Sequence, residues 1–388
     1  YATVGVEGTS IGSITNQAGE FRLHLADSLR RKSLVFSHVG YMAQKIDIPL
    51  LTAGQHFTLT LEPRIFPLQE VVIRVVHPIR LMREMLEKRM INYSQKPVYF
   101  TTFYREGVQY KQKFRSLTEA VFKIYKSPVQ SLYAREQVKL LKMSRITDGL
   151  EQDTLIARMS GGIDACLQLD IINHLPDFLL ADAHKDVYAY TSADVTIVGD
   201  HLVNVISFEQ KKEVKEPLYC GELYIDSDNG ALLQAQIRIH PRYMKQATDM
   251  VVQRQARRMK IVLQELTYTI SYKPWNGTYY INHVRGDLHF KVKQKRQWLG
   301  SSSLHTWFEM VTCKIDTVGV TRFQRNERIP TRTVFADTHF KYDSDFWENF
   351  NVIPWEKQLV EVIEQLTSKI EKIEYRSEER RVGKECLR

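Results

Sequence analysis

Short runs of alternating apolar and polar residues open the chain: Ala2–Val6, Ile11–Thr15, Glu20–His24, Leu34–Val39 and His56–Leu61. A period of two sends successive side chains to opposite faces, the signature of half-buried strands. Gly8 and Gly19 fall between the runs, where hairpin turns need the positive φ that glycine adopts without steric cost. Short strands spaced in this way predict a β-sandwich over residues 1–74. The period then changes. Pro78 suits the first turn of a helix, and Ile79, Met82, Met85, Leu86 and Met90 share one face up to residue 92. From Pro97 onward strand-like runs return: Tyr99–Arg105, Leu117–Tyr125, Val138–Arg145, Val187–Val198, Leu202–Phe208, Gly221–Ile225, Leu232–His240, Ile261–Tyr272, Thr278–Lys293 and Leu304–Ile315. Gly199-Asp200, Asp228-Asn-Gly230 and Trp275-Asn-Gly277 supply turns between them. Helical spacing reappears near 167–180 and at 354–373, where Trp355, Leu359, Ile363, Leu366, Ile370 and Ile373 form one apolar stripe. The chain therefore reads as mainly β with minor α: a sandwich, then an antiparallel β-rich, half-barrel-like domain at 78–375 with a few covering helices.

The residues of the first domain carry a resemblance. Ala2-Thr-Val-x-Val-x-Gly-Thr9, Gly12-Ser-x-Thr15, Gly19-Glu-Phe21, Leu34-x-Phe-Ser-His-x-Gly-Tyr41 and Leu68-Gln-Glu-Val-Val-Ile73 together resemble the carboxypeptidase-like regulatory domain. That resemblance implies a transthyretin-like β-sandwich of the kind that begins many envelope proteins of Gram-negative bacteria, TonB-dependent receptors among them. It implies no catalytic residues, and it implies an opening strand upstream of Tyr1. Phe103-Tyr-Arg-Glu106, Gly221-Glu-Leu-Tyr-Ile-Asp226 and Asp345-Phe-Trp-Glu-Asn-Phe-Asn-Val-Ile353 resemble a poorly characterised region that follows this domain in envelope proteins. The expected location is thus the periplasm or outer membrane, reached through a signal peptide preceding this sequence. The start of a TonB-dependent receptor is the alternative reading. Against it stands the amphipathic helix at 354–373, where a receptor would continue as alternating membrane strands. Residues 376–388 resemble the translation of a sequencing-adapter read and are expected not to pack.

Charge sharpens the picture through its distribution. Residues 1–76 hold 7 Lys/Arg against 6 Asp/Glu, whereas 241–300 hold 12 against 3, matching the +9 of the whole chain. Arg254, Arg257, Arg258 and Lys260 are the candidate anion-binding residues, with the three arginines expected on one helical face. The partners this suggests are an anionic membrane surface, a lipid or glycan, or another envelope protein. Nucleic acid is disfavoured because no recognition motif or stacking pattern accompanies the charge. The solvated-face alternative makes the same residues mere surface.

Motif chemistry is sparse. Gly8-Thr-Ser-Ile-Gly12 matches GxSxG, but a nucleophile elbow needs a strand-to-helix turn, and here two strands flank Ser10. No histidine begins an HxxE or HExxH pattern, and His305 and Glu309 lie about 13 Å apart along a strand, too far to share a metal. Asp226-Ser-Asp-Asn-Gly230 lacks the fifth and twelfth ligands of a calcium loop. Cys166, Cys220, Cys313 and Cys386 are isolated from one another and show no zinc or disulfide spacing. The expectation is a non-enzymatic binding or assembly module without cofactor or metal. Tyr268, Tyr272, Trp275, Tyr279, Tyr280, Phe290 and Trp298 are expected to pack on the sheet, with an apolar ligand cavity as the sharper alternative.

Overall fold

The computed structural model describes residues 1–51, 56–64, 77–131, 136–147, 157–159, 162–255, 259–294, 300–331, 350–355 and 370–371. The amino-terminal sheet contains β1 (Thr3–Val6), β2 (Gly12–Ile14), β3 (Ser33–Ser37) and β4 (Gln44–Asp47) in the order β2-β1-β3-β4, all antiparallel. Val4, Val6, Leu34 and Phe36 point to one side and are buried there. Among the described residues the layer that covers them forms no ladder of its own. Phe21, Leu23 and Leu25, and then Phe57, Leu59 and Leu61, alternate inward from two extended segments and pack on that core. Phe21, Phe36 and Phe57 meet edge to face, with centroids 5.5 to 6.3 Å apart.

Next come α1 (Pro78–Glu87) and α2 (Arg89–Asn92), broken at Lys88, and they bury Leu81, Met82 and Met85. The remaining elements follow in chain order: β5 (Val98–Tyr110), β6 (Lys113–Lys126), β7 (Gln137–Thr147), β8 (Ala157–Met159), α3 (Gly162–Gln168), β9 (Tyr188–Val198), β10 (His201–Gln210), β11 (Tyr219–Asp226) and β12 (Leu232–Ile239). They continue with α4 (Thr248–Val251), β13 (Val252–Gln255), β14 (Met259–Trp275), β15 (Thr278–Gln294), β16 (Ser302–Asp316) and β17 (Ile370–Glu371). Eleven of these strands form one antiparallel sheet in the order β17-β7-β6-β5-β16-β15-β14-β12-β11-β10-β9. β9 and β17 are its two ends, so the sheet is open and not a closed barrel. β8 and β13 pair separately.

Two sequence expectations change. The helical piece expected near 167–180 is α3, ending at Gln168, and beyond it the chain runs through turns and a single 3-10 turn, Asp177–Leu179. Pro176 bars a helix from running on through to residue 180, because it cannot continue an α-helix. Of the helix expected at 354–373, residues 356–369 lie outside the described residues, and 370–371 pair with β7 as a strand. Residues 65–76 and 376–388 also lie outside the described residues.

The large sheet has two unlike faces. Its inner face carries the main core, in which Phe100, Tyr104, Phe122, Ile124, Val284, Leu288, Phe290, Leu304, Phe308 and Met310 pack with α1 and α3. Tyr268, Tyr272, Tyr279 and Tyr280 belong to this core, so the aromatic stretch is mainly packing. Trp298 lies outside the described residues. The opposite face receives the amino-terminal sheet, whose Ile14 packs against Phe103, Val121, Val311, Cys313 and Ile353. Ser10 fixes that junction with two backbone bonds: its hydroxyl donates to Ile315 O at 2.9 Å and accepts from Ile315 N at 3.1 Å. The Gly-x-Ser-x-Gly stretch is accordingly a β1–β2 turn, and its serine is bound to a neighbouring strand.

Candidate functional site

The outer face of the large sheet is built by a plain alternation. Along β15, Val284, Leu288, Phe290 and Val292 enter the core, which turns His283, Arg285, Asp287, His289, Lys291 and Lys293 to the other side. Register then aligns this ladder with its neighbours. Glu119, Arg105, Glu309 and Arg285 are successive partners on β6, β5, β16 and β15, giving a row that alternates negative and positive. Arg105 lies 2.7 Å from Glu119 and 3.6 Å from Glu309, and Arg285 lies 3.4 Å from Glu309. The Arg105 and Glu309 side chains are only 4% and 3% exposed, so this is a desolvated network whose charges depend on each other. Burial pushes the Glu309 carboxyl up, but His283, Arg285 and Arg105 outweigh it and hold the group below the usual carboxylate range.

The row is roofed. Arg285 sits between the rings of Tyr1 and Trp307, 4.9 and 5.3 Å from their centroids. The Arg105 guanidinium also donates to the carbonyls of Ile353 and Pro354, and Trp355 Nε1 donates to Glu119 at 2.7 Å. Thus segment 350–355 and the first residues of the chain cover the inner part of the face.

Beyond this roof no described residue covers the same face. Lys260 and Lys293 are direct cross-strand partners, Lys291 stands one step inward, and all three are exposed. One step further in, Glu265, His289, His305 and Gln109 form a second row across β14, β15, β16 and β5. The rings of His289 and His305 stack in parallel, 4.1 Å between centroids and 4° between planes. His305 Nε2 is 3.3 Å from Asp287 Oδ1, and Asp287 is itself gripped by Arg285 at 2.7 and 2.9 Å. Burial raises the Asp287 carboxyl, but His305 and Arg285 outweigh it and leave it below its ordinary value.

The candidates named from sequence separate here. Lys260 is on this face. Arg254 belongs to β13, paired with Arg158 of β8, so it is on a strand and not on a helix; the strand-forming Val252 and the pairing with β8 override the expected helical spacing. Arg257 and Arg258 lie outside the described residues. His289 and His305 escaped notice as a pair because only register joins them, although the spacing His283-x-Arg-x-Asp-x-His-x-Lys-x-Lys293 already marks one polar strand face.

A second charged cluster lies on the inner face. Lys126 reaches Glu136 at 2.7 Å and Asp170 at 2.8 Å, and His174 Nε2 is 3.2 Å from Glu136. Burial opposes ionisation of Lys126, yet the two carboxylates raise it above the ordinary lysine value. Beside it is a cleft of about 30 Å³ lined by Tyr93, Ser127, Asp170, Tyr272, Tyr279 and Tyr280, room for a couple of waters and lined with polar groups. At the β11–β12 turn, Asp226 accepts from the backbone of Asp228 and Asn229 and lies 2.7 Å from His201. Among the described residues no group of three or more His, Cys, Asp or Glu has the geometry to hold a metal, and no helix is long and apolar enough to cross a membrane.

Residues 1–73 match the family model described as CarboxypepD_reg-like domain, in line with the resemblance carried by the first strands. No curated protein matches the sequence. Among solved structures, an outer membrane lipoprotein-sorting protein domain from Vibrio parahaemolyticus is 10% identical, with a TM-score of 0.26 over 63% of this chain and 94% of that one. A DUF1329 family protein from Desulfovibrio piger is 10% identical, with a TM-score of 0.27 over 63% and 96%. The Pseudomonas aeruginosa MucA/MucB complex gives 12% identity and a TM-score of 0.18 over 62% and 99%. Overlaps of this size carry no argument about function.

Proposed function

We propose that this chain is a non-enzymatic binding or assembly module of the cell envelope that meets an anionic surface with the open part of its large sheet. The observation that carries this reading is the cross-strand pair Lys260 and Lys293 with Lys291 beside it. Like charges directly opposite on a sheet repel and destabilise it, and an anionic partner relieves that repulsion. The envelope setting is supported by the regulatory-like domain at residues 1–73. A non-enzymatic role is supported by how the acids and bases are engaged. Arg105, Glu119, Glu309, Lys126, Glu136 and Asp170 neutralise one another, and the Ser10 hydroxyl is held by Ile315. Catalysis needs a nucleophile, base and oxyanion donors converging on a substrate.

Co-sedimentation with vesicles tests the binding surface. The full chain should bind phosphatidylglycerol vesicles, ignore phosphatidylcholine vesicles, and release as salt rises from about 50 to about 300 mM. Each lysine near such a surface contributes about 1 kcal/mol, so Lys260→Gln, Lys291→Gln and Lys293→Gln together should weaken binding by about a hundredfold. Binding that is absent, or indifferent to the triple change, rejects the reading. Peptide or ester hydrolysis abolished by Ser10→Ala or by a chelator rejects its non-enzymatic part.

A further inference from the structure

We propose that His289 and His305 couple anion binding on this face to proton uptake, so that the open part of the sheet grips a phosphate headgroup more tightly as pH falls. The inference rests on the anionic-surface reading above and names how that surface is regulated.

The stack itself is the first reason. Two imidazole rings held 4.1 Å apart and parallel cannot both carry a charge without a repulsion that grows as water is excluded. At most one is comfortably cationic while the stack stands. The second reason is the asymmetry of their partners. Asp287 engages His305 and leaves His289 aside, and among the described residues no side chain or backbone group hydrogen-bonds either nitrogen of the exposed His289. Glu265 and Lys291 flank His289 on the lateral and longitudinal sides, and Arg285 engages Asp287 behind the pair. Gln109 and Ser303 complete the surroundings of His305 with neutral groups, and Trp307 closes the inner side.

A monoanionic phosphodiester arriving beside Lys291 adds a negative charge to that of Glu265, the cross-strand partner of His289. It lets His289 take up a proton, adding one positive charge to this step of the ladder. Burial, and then the neighbouring His305, hold the His289 imidazole below its ordinary value. Proton uptake by His289 therefore falls below the ordinary histidine range, and affinity should be constant well above it.

The test uses the full chain and phosphatidylglycerol vesicles, whose phosphodiester keeps its single charge across the range, so any pH dependence belongs to the protein. From about pH 8 to about pH 5.5, binding should tighten by about five- to tenfold, the weight of one additional charge near the surface. The double change His289→Gln and His305→Gln should leave affinity near pH 8 unaltered and abolish the increase. By contrast, the triple lysine change should lower binding at every pH and keep the same relative increase. A wild-type profile that is flat, or a double variant that retains the slope, overturns the coupling while leaving the anionic-surface reading intact. Absence of binding at both pH values overturns both. Circular dichroism of each variant establishes that it is folded.

Discussion

Arg105 stands between Glu119 and Glu309, its directly opposed partners on the two flanking strands, with Glu119 Oε1 accepting from its Nε at 2.8 Å. The guanidinium does more than pair two acids, because it also holds the Ile353 and Pro354 carbonyls and so ties the roof to the sheet. Removing it leaves two carboxylates in a site with little water. Arg105→Ala is expected to lower stability by about 3–5 kcal/mol, the cost of breaking a buried pair from one side. Urea unfolding checks the magnitude, and hydrogen exchange should show loss of protection in 350–355. A loss under about 1 kcal/mol would mean that water already screens the row.

Lys273 gives a pH dependence with a definite sign. Its Nζ donates to Thr312 O at 3.1 Å and Ser10 O at 3.4 Å, at the junction of the two sheets, with no carboxylate partner among the described residues. Burial pulls it down to about 8. An unfolded lysine titrates near 10.4, so between these values the unfolded chain binds more protons and stability rises with pH. Below about pH 8 the buried ammonium costs on the order of 3 kcal/mol, and that cost fades by about pH 10.5. Lys273→Met should therefore be the more stable protein at pH 7, and the difference from wild type should shrink as pH climbs. Parallel unfolding curves across that range would refute the assignment, and the comparison cancels the tyrosines that titrate in both proteins.

Gly221 is required by a close approach of backbone to backbone. A Cβ built there would lie 1.9 Å from Gln236 O on the paired strand β12. No side-chain rotation relieves such a contact, so β11 and β12 would have to separate. Gly221→Ala should cost about 3 kcal/mol or more, in the tail of single substitutions. Thermal unfolding measures it. A change within about 0.5 kcal/mol would show that the ladder yields easily.

Much of the architecture was legible in the amino-acid pattern, for a local reason. Period-two alternation from Tyr99 to Ile315 located ten of the long strands, because each buries one face and exposes the other regardless of which neighbour it meets. The turn at Asn276-Gly277 was equally local: both residues have positive φ, 49° and 74°, in the two-residue hairpin that such a pair favours. Alternation predicted strands at 20–24 and 56–61; the structure has both segments with alternate residues half-buried, but neither is a strand. The alternation gave no warning that they cover the first core without joining a ladder, since an inward face and a hydrogen-bond partner are separate requirements.

Composition likewise located the excess of positive charge between 241 and 300 but not its arrangement. Helical spacing suggested Arg254, Arg257 and Arg258, whereas the pairing of β14 with β15 brought Lys260 opposite Lys293. The charge row of Glu119, Arg105, Glu309 and Arg285, the stack of His289 on His305, and the bond from Ser10 to Ile315 all join residues far apart in the chain. For the strand residues among these, the sequence by itself determined which side chains share a face, because that depends on a residue's own strand. Only the tertiary structure decided which of them meet, because strand order and register are set by the packing of the whole sheet, and a one-residue slip would reverse every face.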